Sequence, residues 1–105
     1  MTEQTYKMLL KDLISKNEIL LDLFNNVPNK ILNHNIKGIS GNSKNIKNHY
    51  IYVAIKGAQF DGSDFINEAR QNGAILIIAD KSYDKNVIST NKISTRLVYT
   101  ELLAS

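Results

Sequence analysis

The residues of this 105-residue chain whose types and spacing could do chemistry lie mainly between positions 57 and 64. Gly57-Ala58-Gln59-Phe60-Asp61-Gly62 has the G-x-x-x-x-G spacing of a phosphate loop, and it sits between an apolar run and a helical pattern, where such loops occur. A phosphate loop needs Lys and then Ser or Thr after its second glycine, to reach the β- and γ-phosphates and Mg²⁺, but Ser63 and Asp64 stand there. ATP hydrolysis is not expected at this loop. A weaker anion-binding reading survives: two glycines permit close backbone approach, and the following helix offers N–H groups at its positive end. Asp61 and Asp64 oppose it, because carboxylates already occupy that field. A glycine-lined turn with an Asp cap is an equal alternative. Gln59 can donate and accept through its amide, and Phe60 can either cover an aromatic base or plug the core.

A second polar loop runs from Gly41 through Asn42 and Ser43 to Lys44. It offers a hydroxyl and a cation to a ligand, or it is simply a polar turn. His34 and His49 have no partner at metal-ligand spacing, so no metal site is expected, and Asp61 with Asp64 reads as a capping pair rather than an acid/base pair. No catalytic residue is assigned.

The elements that would position these loops follow from periodicity. Across residues 2–24 the apolar residues Tyr6, Leu9, Leu10, Leu13, Leu20, Leu21 and Phe24 recur at helical spacing with a break near residues 15–17, predicting two short helices or one broken one. The turn chemistry of residues 25–29 closes that segment. Ile36 and Ile39 predict a short strand leading into the first loop. The aromatic and β-branched run of residues 50–55 predicts a strand buried on both faces, central in its sheet, and stopping at Gly57. Ser63 or Asp64 can cap a helix with an apolar face of Phe65, Ile66 and Ala69, ended by Asn72 and Gly73. Residues 74–79 form a second apolar strand, giving a βαβ unit and an α/β class. A weak strand over residues 87–93 and a final helix capped by Ser94, carrying Leu97, Val98, Leu102 and Leu103, complete the chain.

Composition fits one domain over residues 1–105: 43% apolar, one Pro, no Trp and no Cys. The lack of Cys excludes a disulfide framework and thiol chemistry, and a reducing cytoplasm is the expected compartment. No apolar run is long enough for a signal peptide or a membrane span. The net charge of +3 is spread over scattered lysines among ten acidic residues, so neither nucleic acid nor a membrane surface is an expected partner.

Residues 36–80 carry a more specific pattern. Lys37-Gly38-Ile39-Ser40-Gly41-Asn42-Ser43-Lys44, then Ile51-Tyr52-Val53-Ala54-Ile55-Lys56-Gly57-Ala58-Gln59-Phe60-Asp61-Gly62-Ser63-Asp64-Phe65-Ile66, then Glu68-Ala69-Arg70-Gln71-Asn72-Gly73-Ala74 resembles the N-terminal domain of the Mur ligases. The family pattern is a strand ending in Asp-Ser-Arg, then Leu-Phe-Val-Ala-x-x-Gly, three residues, Asp-Gly-His-x-Phe-Ile, and a helix ending in Gly-Ala. The chain's last segment, from Ser94 to Ser105, is similar to the exit from that domain in the MurE type, which adds the third amino acid to UDP-N-acetylmuramoyl-L-alanyl-D-glutamate. The MurF type shares most of the pattern.

The resemblance implies a small Rossmann-like α/β domain with a mixed, mainly parallel sheet flanked by helices. It implies binding of the UDP part of the UDP-N-acetylmuramoyl peptide precursor of peptidoglycan, with Gly41, Ser43, Ala58, Gln59 and Phe60 lining the pocket. ATP and Mg²⁺ are expected for a complete ligase only, since its Gly-Lys-Thr loop and its C-terminal domain have no counterpart among these residues. The chain alone is then not a competent ligase but a fragment, split product or excised domain, working with the remaining domains in cis or in trans. A catalytically inert stand-alone binding module or a truncated gene product is the alternative. Asn42 and Lys44 stand where the family shows Asp and Arg, so a carboxylate is lost and a forked guanidinium becomes a point charge. Ser63 replaces a common His.

Overall fold

The computed structural model describes residues 4–84, 86–90 and 93–105. Five strands form one sheet in the order β1-β2-β3-β4-β5: β1 Gln4–Leu9, β2 Asn35–Ser40, β3 Tyr50–Val53, β4 Ala74–Ala79 and β5 Val87–Ser89. The β2, β3, β4 and β5 strands run parallel, and β1 pairs antiparallel with β2. The mixed, mainly parallel α/β sheet is the expected class. The expected central strand is third of five, with all four residues buried.

Successive side chains on a strand point to opposite faces, and the core divides accordingly. Ile51, Val53, Leu76 and Ile78 pack on one face with Leu10, Leu13, Leu20, Phe24, Val98 and Leu102. These last come from helices α1 Leu10–Ile14, α2 Glu18–Leu23 and α5 Thr95–Ala104, apart from Phe24 just beyond α2. Tyr50, Tyr52, Ala54, Ile77 and Ala79 pack on the other face with Ile66 and Ala69 of helix α4 Ile66–Gln71. In numerical order α3, Asn29–Leu32, follows Pro28 and precedes α4.

The N-terminal segment departs from expectation. Residues 4–9 are strand, not helix, and α1 begins only at Leu10. A short isolated helix gains little in water, whereas β2 without β1 would present a row of unpaired backbone groups at a sheet edge. The pairing matches Thr5 with Gly38 and Leu9 with Asn35 around an irregularity between Thr5 and Met8. The break near residues 15–17 is real: Asn17 caps α2, its Oδ1 accepting from Leu20 N at 3.1 Å, and its Nδ2 donates to Glu101 of α5 at 2.6 Å. The segment after it does not end in a turn alone, since α3 adds one more helical turn.

The C-terminal helix starts as expected, with Ser94 Oγ accepting from Leu97 N at 3.3 Å. Val98 and Leu102 are fully buried, while Leu97 lies outside the core on the exposed side. The strand expected over residues 87–93 is confined to Val87–Ser89, and residues 91–92 lie outside the described residues. Among the described residues no helix is long and apolar enough to cross a membrane.

Candidate functional site

In open α/β sheets ligands collect beyond the carboxyl ends of the strands. There, the segments leaving β2 and β3 face each other across a cleft of about 270 Å³ lined by Gly41, Asn42, Ser43, Lys44, Phe60 and Phe65.

The β2 side is a short 3₁₀ turn, Ser43–Asn45, which Asn42 caps by accepting from Lys44 N at 3.0 Å. Upstream, Ser40 Oγ accepts from Asn42 N at 3.0 Å, so side chains hold the loop against its own backbone. The turn is also fastened to α4. Ser43 Oγ donates to Glu68 Oε1 at 2.5 Å, Asn72 Nδ2 donates to Ser43 O at 2.9 Å, and Lys44 Nζ lies 3.6 Å from Glu68 Oε2. The Ser43 hydroxyl, helped by the Lys44 ammonium, holds the Glu68 carboxyl below its ordinary pKa.

The β3 side folds back on itself. Gly57 N donates to Phe60 O at 2.7 Å, Gly62 N donates to Ile55 O at 2.9 Å, and Lys56 pairs with Asp61 as an isolated antiparallel bridge. Asp61 accepts from Ser63 N at 3.0 Å and from Ser63 Oγ at 2.7 Å, and these bonds lower its pKa. Asp64 N donates to Asp61 O at 3.2 Å. The cap is therefore Asp61, not Ser63 or Asp64, and it closes a 3₁₀ turn, Gly62–Phe65, ahead of α4. The N–H groups of Gly57, Gly62, Ser63 and Asp64 are engaged inside the loop, so the turn ahead of α4 is closed by its own Asp61 carboxylate. With no lysine after Gly62, this loop does not fit ATP.

Phe60 does not plug the core. It is 53% exposed and stacks on Phe65 with ring centroids 5.5 Å apart and planes 14° from parallel. The two rings form an apolar wall opposite the polar turn. Of the five expected pocket residues, Gly41, Ser43 and Phe60 come together here. Ala58 and Gln59 are exposed at the loop tip and lie outside the lining. Two residues were missed. Phe65 counted as helix core, and Glu68, which holds Ser43, carries no local signal because its partner is 25 residues away.

Elsewhere, Lys56 Nζ lies 3.3 Å from Asp80 Oδ2, which also raises its pKa. His34 is half-buried and His49 is exposed in a left-handed conformation with φ 68°. Among the described residues no three His, Cys, Asp or Glu side chains gather as a metal-ligand set.

Comparison with known proteins brings both loops within one family. The family described as Mur ligase family, catalytic domain, matches residues 35–103, which include both loops. The UDP-N-acetylmuramoyl-L-alanyl-D-glutamate--2,6-diaminopimelate ligase 2 of Clostridium acetobutylicum is 48% identical over 65 residues, covering 62% of this chain and 14% of that protein. The 2,6-diaminopimelate ligase of Rickettsia prowazekii is 48% identical over 61 residues, covering 58% of this chain and 12% of its own length. Among solved structures, a MurF ligase from Thermotoga maritima in complex with ADP superposes with a TM-score of 0.52 at 35% identity, over 61% of this chain and 15% of that one. A MurF from Acinetobacter baumannii shares the fold across 97% of this chain and 21% of its own, with a TM-score of 0.62 at 18% identity. The chain thus spans a small part of the length of these relatives. A family match over residues 35–103, most of the chain and including both loops, shows that the chain belongs to the Mur ligase family.

Proposed function

We propose that residues 1–105 are the N-terminal, precursor-binding domain of a MurE-like ligase of peptidoglycan synthesis, holding the UDP part of UDP-N-acetylmuramoyl-L-alanyl-D-glutamate. The observation that carries this reading is the cleft, in which an exposed aromatic wall, Phe60 on Phe65, faces a polar turn with a hydroxyl and a cation. A uracil ring suits the wall, and the Lys44 ammonium suits a diphosphate oxygen. Gly41, Ser43 and Phe60 would contact the nucleotide in the cleft, with Ala58 and Gln59 reaching it from the loop tip. The relatives at 48% identity carry names that specify the same precursor and a 2,6-diaminopimelate acceptor, which favours the MurE reading.

Amide-bond formation with ATP and Mg²⁺ belongs, on this reading, to the longer ligase, with its other segments in cis or in trans. The residues present here bind and orient the precursor and carry no catalytic group. The cytoplasm, where nucleotide-linked precursors and ATP occur, is the corresponding compartment.

The test is a calorimetric titration of the chain with UDP-N-acetylmuramoyl-L-alanyl-D-glutamate, with ADP and a Ser43→Ala, Phe60→Ala double variant as controls. Saturable binding that is absent for ADP and lost in the variant supports the reading. A folded chain that binds neither nucleotide turns the assignment to an inert module of the same fold.

A further inference from the structure

Ser43 lines the cleft yet is only 5% exposed, and its sole proton is directed at Glu68 Oε1 at 2.5 Å. A serine hydroxyl has one O–H to donate and two lone pairs to accept with. Once a carboxylate takes the proton in a short, charge-assisted bond, Oγ has only lone pairs to offer. Lys44 Nζ lies 3.6 Å from the other carboxylate oxygen of Glu68 in an exposed pair, while Ser43 is itself buried with its carbonyl accepting from Asn72 Nδ2, so the serine has little freedom to turn.

We propose that Glu68 is a positioning residue that fixes Ser43 Oγ as a hydrogen-bond acceptor, so that Ser43 reads an N–H or O–H donor on the nucleoside of the ligand rather than a phosphate oxygen. This rests on the precursor-binding reading above and deepens it. Two donors on a uridine nucleotide have the required chemistry, the uracil N3–H and the ribose hydroxyls. Phosphate oxygens, which are acceptors, are left to Lys44. A glutamate carboxyl is ionised at neutral pH, and the Ser43 hydroxyl and then Lys44 shift its pKa further down, so the polarity of Ser43 is constant there.

The experiment titrates the full chain and its variants with UDP, 3-methyluridine diphosphate and 2′,3′-dideoxyuridine diphosphate. Ser43→Ala is expected to weaken UDP about tenfold, the upper range for one neutral hydrogen bond. For one of the two donor-blocked nucleotides the same substitution is expected to change nothing, which identifies the donor as N3–H or ribose. In Glu68→Gln the Lys44 ammonium favours the amide oxygen on its own side, which leaves the amide N–H toward Oγ and turns the hydroxyl round, so the variant should weaken UDP as Ser43→Ala does and leave the blocked nucleotide unaffected. A purely structural role for Ser43 or Glu68 would lower affinity for all three nucleotides alike, and that result overturns the inference. An equal Ser43→Ala loss for both blocked nucleotides and UDP does the same. Should Glu68→Gln fail to fold, Ser43→Ala with the three nucleotides decides alone. If the unaltered, folded chain binds no UDP, the precursor-binding reading falls. If it binds UDP without the coupling, only the role of Glu68 falls.

Discussion

The hydroxyl of Tyr52, in the middle of the central strand, donates at 2.6 Å to the carbonyl of Gly62 at the far end of the loop that follows. The ring is fully buried, so a strand residue under the loop ties it down at Gly62, between Phe60 and Phe65 in the chain. Tyr52→Phe removes the donor and leaves a buried carbonyl unpaired. Urea denaturation should show a loss of about 1–2 kcal/mol, with an unchanged dependence on denaturant.

The same phenol titrates late. Burial first, then the carboxylates of Glu68, Asp61 and Asp64, push its pKa up to about 12 from an ordinary 10.0. The folded chain therefore keeps a proton that the unfolded chain has already released. This contribution to stability is complete below pH 10 and is lost as pH rises through about 12. In an alkaline titration, one of the five tyrosines should ionise together with the loss of circular dichroism. In Tyr52→Phe that step should be missing.

Two glycines are required for different reasons. A Cβ on Gly62 would lie 2.8 Å from Ile55 N and 3.0 Å from the Ala54 backbone, where nothing can swing aside. Gly73 ends α4 at φ +114°, a conformation that L side chains rarely adopt, and a Cβ there would also lie 2.8 Å from the Asn48 backbone. Alanine at either site should destabilise by about 1–3 kcal/mol in thermal unfolding. Gly57→Ala, whose Cβ would have only Phe60 O at 3.4 Å, should change little and serves as the control.

Phe60 separates binding from stability. It is more than half exposed and stacked on one ring, so Phe60→Ala should leave stability within about 0.5 kcal/mol. If a uracil ring lies against the wall, the same variant should weaken UDP about tenfold, near the upper range for an aromatic pair. Equal UDP affinity in Phe60→Ala and the unaltered chain would remove the ring from the site.

Local patterns sufficed for the middle of the chain. The apolar runs that became β3 and β4, the glycine stop at Gly73 and the Ser94 cap each depend on a few adjacent residues, and all three are where their patterns put them. The same short-range reasoning misread residues 4–9, where Tyr6 and Leu9 continue the helical spacing of Leu10 and Leu13, because their state is decided by a partner strand some thirty residues later. It also placed the cap of the second loop at Ser63 or Asp64, when the Asp61 carboxylate reaches Ser63 first.

What the sequence determined by itself is the α/β class, the two loops at the carboxyl ends of neighbouring strands, and the family to which their spacing belongs. Tertiary structure alone decided which loop residues meet. Ser43 and Glu68 lie 25 positions apart and come within 2.5 Å only because β2 and β3 pair in parallel and α4 returns beside the first loop. Ala58 and Gln59, in sequence beside Phe60, stand at the exposed tip of the reversal that Gly57 and Phe60 close, at the rim rather than in the lining of the cleft. Propensity and periodicity act over a few residues, whereas the donor or acceptor character of a site depends on which distant group receives each proton.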